Sequence, residues 1–272
     1  MASVQSLIGL AVSDAALLRA FAEAHRGVLD VTASWPGPPS GMWGIGFHAH
    51  GEMLVRKGPL RDRKGTEGGL VAGHLRDIRA RHVVIVAERH DVMHKLEDCS
   101  PLRYRDWLFA ATGADSLGAG FAERVQAELP TYAFSTKRYP TADEAVMMLI
   151  MSALERMNAR DTRDLTTRAI QRALGAAAEH LRTLAGEVGK VQLLVTLHVQ
   201  GHLFVLAIGR PIWVARFRGT GDAARPGRFL RNEHLRALII GDRTTDGVVW
   251  EKLPEGLAAE IDIACELVQF PV

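Results

Sequence analysis

Apolar and polar positions change their spacing several times along this chain, and each change predicts an element. "VQSLIGLAV" (residues 4–12) is a nearly unbroken apolar run of strand length. In "SDAALLRAFAEAHRG", Leu17, Leu18 and Phe21 share one helical face, with Asp14 as the cap and Gly27 as the end. "SWPGPPSG" (residues 34–41) breaks regular structure, because its prolines fix φ and remove donors. "GMWGIGFHAHGEMLV" (residues 41–55) alternates small, aromatic and polar residues and predicts two short strands closing at His50-Gly51. A basic loop, "RKGPLRDRK", then leads to a short helix over "TEGGLVAGHLRDIRA". "HVVIVAE" (82–88) and "WLFAA" (107–111) are short, fully apolar runs and predict buried strands.

The spacing then turns helical. "GFAERVQAEL", "TADEAVMMLIMSALERMN" and "RDLTTRAIQRALGAAAEHLRTLA" predict three helices, the last with Leu165, Ala169, Ile170, Leu174, Leu181 and Leu184 on one face. Strand patterns return in "KVQLLVTLHV", "HLFVLAI", "PIWVARF", "RALIIG" and a final "AEIDIACELVQF". Strands, then helices, then strands is the order of an α+β protein whose antiparallel sheets pack together under helix layers. No linker or compositional break interrupts it, so one domain over residues 1–272 is expected.

Composition narrows the function classes. Of 272 residues, 47% are hydrophobic and 24% charged, and 33 basic against 31 acidic residues leave +2, too balanced to point to nucleic acid. No apolar run reaches the roughly 20 residues that span a bilayer. The start of the chain has no basic segment leading into an apolar one, so a cytoplasmic location is expected. Cys99 and Cys265 are far apart and give no metal-ligand spacing. "GTGDAARPGRF" (219–229) follows a strand without opening a helix, so it reads as a loop and not as a phosphate cradle. "RPGRFLR" reads as a solvated basic run. No cofactor is implied.

Seven segments in sequence order resemble the class II glutamine amidotransferases of the N-terminal-nucleophile hydrolase fold, the small stand-alone bacterial type. They are "SLIGLAV", "GMWGIGF", "VIVAER", "EDCSPLRYRDWLFAATGAD", "PTADEAVMML", "HLFVLAIGRPIWVARF" and "LIIGDRTTDGVVWEKLPEGLAAEI". The resemblance implies a four-layer αββα sandwich, and it places the small-residue strand beside the nucleophile's pocket.

It also implies a set of site positions. The family's nucleophile is an N-terminal cysteine whose own amine acts as base, and both groups must sit on one residue. "LIG" at 7–9 brings that position onto Gln5, which has no nucleophile; Ala2 is equally inert, and Ser3 would serve only after cleavage of two residues. The family's oxyanion-hole asparagine and glycine fall on Thr112 and Gly113, and the preceding histidine on Ala111. Losing one oxyanion donor costs about 3–4 kcal/mol of transition-state stabilisation. The substrate-binding arginine matches Arg89; the amine-binding aspartate falls on Ala142, with Asp143 next to it, a one-residue shift of about 100° around a helix.

Other candidates are weaker. Cys99, within a pocket-wall segment, is a candidate surrogate nucleophile or a small buried thiol. His48 with His50, and His90 with His94, are pairs without a third ligand nearby, so no metal site is expected. The reading that follows is a catalytically inactive relative that binds or scaffolds. Its expected company is a protein partner, a second copy, or a small carboxylate held through Arg89, Gly113 and Asp143. The alternative is a working amidotransferase or amidohydrolase with an altered nucleophile.

Overall fold

The computed structural model describes residues 4–33, 35, 41–60, 73–89, 96–129, 141–157, 166–185, 193–199, 201–219, 234–254 and 256–272. Ser3, most of the 34–41 proline segment, residues 61–64 of the basic loop and 66–72 of the helix expected after it, His90, His94, and nearly all of 219–231 lie outside them. Residues 56–60, expected as loop, are strand, and of the expected helix only 73–74 are helical among the described residues.

Thirteen strands among the described residues form two sheets. The first contains β1 (Val4–Val12), β2 (Gly41–Ala49), β3 (Glu52–Leu60), β4 (His82–Arg89), β9 (Ile212–Arg218), β10 (Arg236–Gly241) and β11 (Glu251–Leu253), in the order β11-β9-β10-β1-β4-β2-β3. The second contains β5 (Leu102–Tyr104), β6 (Trp107–Thr112), β7 (Leu193–Val199), β8 (His202–Ile208), β12 (Leu257–Ile261) and β13 (Leu267–Pro271), in the order β13-β12-β8-β7-β6-β5. Every described pairing is antiparallel. The sheets are therefore assembled from both ends of the chain, with β1 central in the first.

Period-two alternation separates the layers. Leu7 and Ala11 of β1 face the second sheet and pack with Val84, Val86, Leu108, Ala110, Leu203 and Val205. Ile8, Leu10 and Val12 face the other way, against Leu18 and Phe21 of α1 (Leu18–Ala24). The outer face of the second sheet carries α2 (Phe121–Glu128), α3 (Ala142–Arg156) and α4 (Thr167–Ala185) over Phe109, Phe204 and Leu206. The result is the expected helix, sheet, sheet, helix order.

Helix α3 is the most enclosed, because it is pressed between the sheet and its neighbours. Met147, Met148 and Met151 are all buried, as is Val146 before them, and each such side chain contributes about 1.5–3 kcal/mol on leaving water. Thr141 caps its start by accepting the Glu144 amide proton at 3.2 Å. Asp143 and Glu144 then lie at the positive end of the helix dipole, and Arg156 at its negative end.

The glycines of β2 have a specific packing role. A Cβ on Gly44 would lie 2.2 Å from the Ser100 carbonyl oxygen, and one on Gly46 would lie 2.3 Å from the Leu108 side chain. The chain's own second sheet closes onto this bare backbone. Trp43, on the opposite face, stacks on His74 at 4.1 Å.

Three elements differ from the sequence pattern. "AEIDIACELVQF" is two strands and not one: Asp262 accepts from the amides of Ala264 at 2.8 Å and Glu266 at 2.9 Å, and Cys265 takes φ 60. A side chain that bonds its own downstream backbone makes a turn that the apolar pattern conceals. The three-residue strands β5 and β11 are too short to show a period. Among the described residues, no helix is long and apolar enough to cross a membrane.

Candidate functional site

At the head of β1 the alternation that buries Leu7 between the sheets points Gln5 the same way. Its Oε1 accepts the Gly113 amide proton at 2.8 Å. Gly113 follows β6 directly and has φ 84, a conformation that favours glycine. Its N–H thereby faces the cleft between the sheets. Gln5, at the head of β1, and Gly113, just past β6, are thus bonded to each other.

Thr112 is fully buried beside them, and its Oγ1 accepts from Arg210 Nη1 at 3.1 Å. Arg210 Nη2 lies 3.5 Å from Asp242 Oδ2, which also accepts the Leu7 amide proton at 3.3 Å. Burial raises the Asp242 pKa above the usual carboxylate value, while Arg210 and Arg243 oppose that shift. Burial lowers the Arg243 pKa, and its Nη2 donates to the Asp30 carbonyl. This polar group ties β1, β6 and the ends of β8 and β10 together.

On the other side of Gln5 lies its register partner, Glu88 of β4. Glu88 Oε1 accepts the Ser100 amide proton at 3.0 Å, and Ser100 Oγ donates to Asp143 Oδ2 at 2.9 Å. Glu88, Ser100 and Asp143 are all buried. Of the two adjacent residues at the start of α3, Asp143 turns its carboxylate to this group, while Ala142 packs against the helix-side core. Two hydrogen-bonded groups, Gly113 with Gln5 and Glu88 with Ser100 and Asp143, are set side by side by the Gln5–Glu88 register.

Arg89 turns away from both groups. The residue after Glu88 points to the opposite face, where its Cζ lies 5.1 Å from the Trp35 ring. The Trp35 Nε1–H donates to Ser6 Oγ at 3.1 Å, so the hydroxyl nearest Gln5 in sequence also faces away from the cleft.

The two cysteines, of which Cys99 is the candidate nucleophile, are poorly prepared for attack. Cys99 is 1% exposed, and burial, reinforced by Glu88, pushes its thiol up to about 11. Cys265 is pushed up to about 12, again chiefly by burial. Such thiols supply little thiolate at neutral pH. Ala111 lies with the helix-side core. His48 and His50 lie at the β2–β3 turn. Among the described residues no group of three or more metal-ligating side chains fits an ion.

Sequence reasoning missed Glu88, Ser100, Arg210 and Asp242. A signal existed for the last, since "LIIGDR" places two charges directly after a buried strand. Arg210 sits in a Gly-Arg-Pro hairpin, where an arginine reads as exposed.

No family model matches the chain, and no curated protein matches it. Solved structures do. A glutamine aminotransferase class-II domain protein from Silicibacter pomeroyi is similar at TM-score 0.51 and 15% identity, over 84% of this chain and 90% of that one. A predicted glutamine amidotransferase from Pseudomonas aeruginosa is similar at TM-score 0.53 and 15% identity, over 97% and 96%. The glutamine phosphoribosylpyrophosphate amidotransferase of B. subtilis gives TM-score 0.55 and 12% identity; the chain is covered to 98% but spans about half of that enzyme, 49%. At these identities the likeness is one of fold. The chain has the αββα fold of the class II glutamine amidotransferases, with Gln5 at the head of its first strand.

Proposed function

We propose that this protein is a catalytically silent form of the amidotransferase fold that works by binding. The observation that carries the reading is the 2.8 Å hydrogen bond from the Gly113 amide to Gln5 Oε1. An oxyanion donor acts only if it is open to the developing charge, and here an uncharged carboxamide already takes it. The attacking group is also absent at residue 5, and the buried thiol of Cys99 is held protonated.

In this reading the chain retains a rigid two-sheet scaffold for a protein partner or a second copy. A small carboxylate held by Arg89 through two parallel hydrogen bonds would lie beside Trp35 on the outer face of the first sheet, and not in the cleft with Gly113 and Asp143. The fold acts as one domain in a reducing compartment.

The test is covalent labelling. Purified protein incubated with an electrophilic glutamine analogue should show unchanged intact mass, because no activated nucleophile meets the reagent. A single adduct mapping to residue 5, to the mature N-terminus or to Cys99 would overturn the proposal.

A further inference from the structure

A second cavity lies on the outer face of the first sheet, on the opposite side from Gln5. It has a volume of about 390 Å³, within the range of small-molecule sites. Strand alternation builds its floor: Phe47 of β2 and Leu54 of β3 are register partners on the outer face, beside Ala49. Arg56 lies two residues along β3 on the same face, with its Cζ 5.6 Å from the Phe47 ring centroid. The turn after Leu75 brings Arg76, Asp77 and Arg79 to the rim.

The charges in this cavity are unbalanced. Three arginines face one aspartate, and His50 adds a further nitrogen group at the hairpin end. Among the described residues neither Arg56 nor Arg79 has a carboxylate within ion-pair distance. Arg76 reaches Glu23 Oε1 only at 3.8 Å, and that oxygen is already held by Arg19 at 3.0 Å. Converging guanidinium groups repel one another unless an anion lies between them.

We propose that this cavity binds a small organic phosphate with a flat apolar body, an aryl or nucleoside phosphate. Two charges and three terminal oxygens let a phosphate engage more than one guanidinium, which a single carboxylate does less well. Leu54, half-buried beside the Arg56 side chain that covers the Phe47 ring, provides the surface for the apolar body.

The experiment uses the full chain titrated with phenyl phosphate by calorimetry, with inorganic phosphate as a second probe. Phenyl phosphate should bind saturably at one site, more tightly than inorganic phosphate, and less tightly as salt rises. Arg56→Ala and Arg79→Ala, both at exposed positions, should keep the melting temperature and weaken binding by about tenfold each, about 1.4 kcal/mol. Absence of saturable binding at roughly 10 mM ligand, or affinity unchanged in both variants, would overturn the proposal. Equal affinity for the two probes would remove the apolar body from it. The site is independent of the Gln5 reading, since Gln5→Ala should leave this affinity unchanged whatever its effect on the cleft.

Discussion

Gln5 and Gly113 meet where two strands from opposite sheets begin and end, so a change at residue 5 has an unusual reach. Gln5→Ala removes the acceptor of a partly buried amide and leaves that N–H facing the cleft. The expected loss of stability is about 1–3 kcal/mol, the cost of an unsatisfied buried donor. Urea unfolding measures it. Gln5→Glu keeps an acceptor for Gly113 but sets a second carboxylate beside buried Glu88, and like charges on neighbouring residues disfavour each other. Its loss should therefore grow as pH rises from 4 to 7 (approximately the carboxylate titration range). If Gln5→Ala is as stable as the parent chain, the hydrogen bond contributes nothing to the closed cleft.

At the scale of elements, the joint between β4 and the β12–β13 turn has a pH dependence of its own. His82 opens β4, is 2% exposed and shares a hydrogen bond with the Asp262 carbonyl at 3.0 Å. Burial pushes it down to about 4 from 6.5, with His202 and Arg81 adding to the effect and Asp262 opposing it. The unfolded chain therefore takes up the proton first, and stability is lost as pH falls from about 6.5 toward 4. Between pH 7 and pH 5 this one group should remove about 2 kcal/mol. His202 works the other way. Its hydrogen bond to Glu260 raises its pKa, so its contribution is present at low pH and is lost as pH rises through the folded value. His82→Gln separates the two. The variant should lose less stability than the parent chain over that interval, as read by denaturant unfolding at both pH values; equal losses would place the acid sensitivity elsewhere.

For the whole molecule, the layer order was legible in the sequence because each long element carries its own period. The apolar run at 82–88 became a central strand, and α3 and α4 follow their helical repeats. The site was legible only in part. Gln5, Thr112 and Gly113 came from the family resemblance, and the structure joins Gln5 to Gly113 directly and brings Thr112 in beside them. What no local pattern contains is which distant residues close the cleft. Ser100, bonded to Glu88, reaches Asp143 across 43 positions of sequence, and Arg210 reaches Thr112 across 98. The bare strand at Gly44 and Gly46 is a similar case, since its small residues answer to Ser100, just before β5, and to Leu108 of the other sheet. Contacts of that kind arise only when the sheets pack.

The central claim, that this cleft is closed to catalysis, is tested most directly by ammonia release. Full-length protein at high concentration, incubated with glutamine and with a γ-glutamyl amide, should release ammonia at the rate of a buffer blank. Turnover above the blank that disappears on changing Cys99, Ser3 or Gln5 would contradict the account.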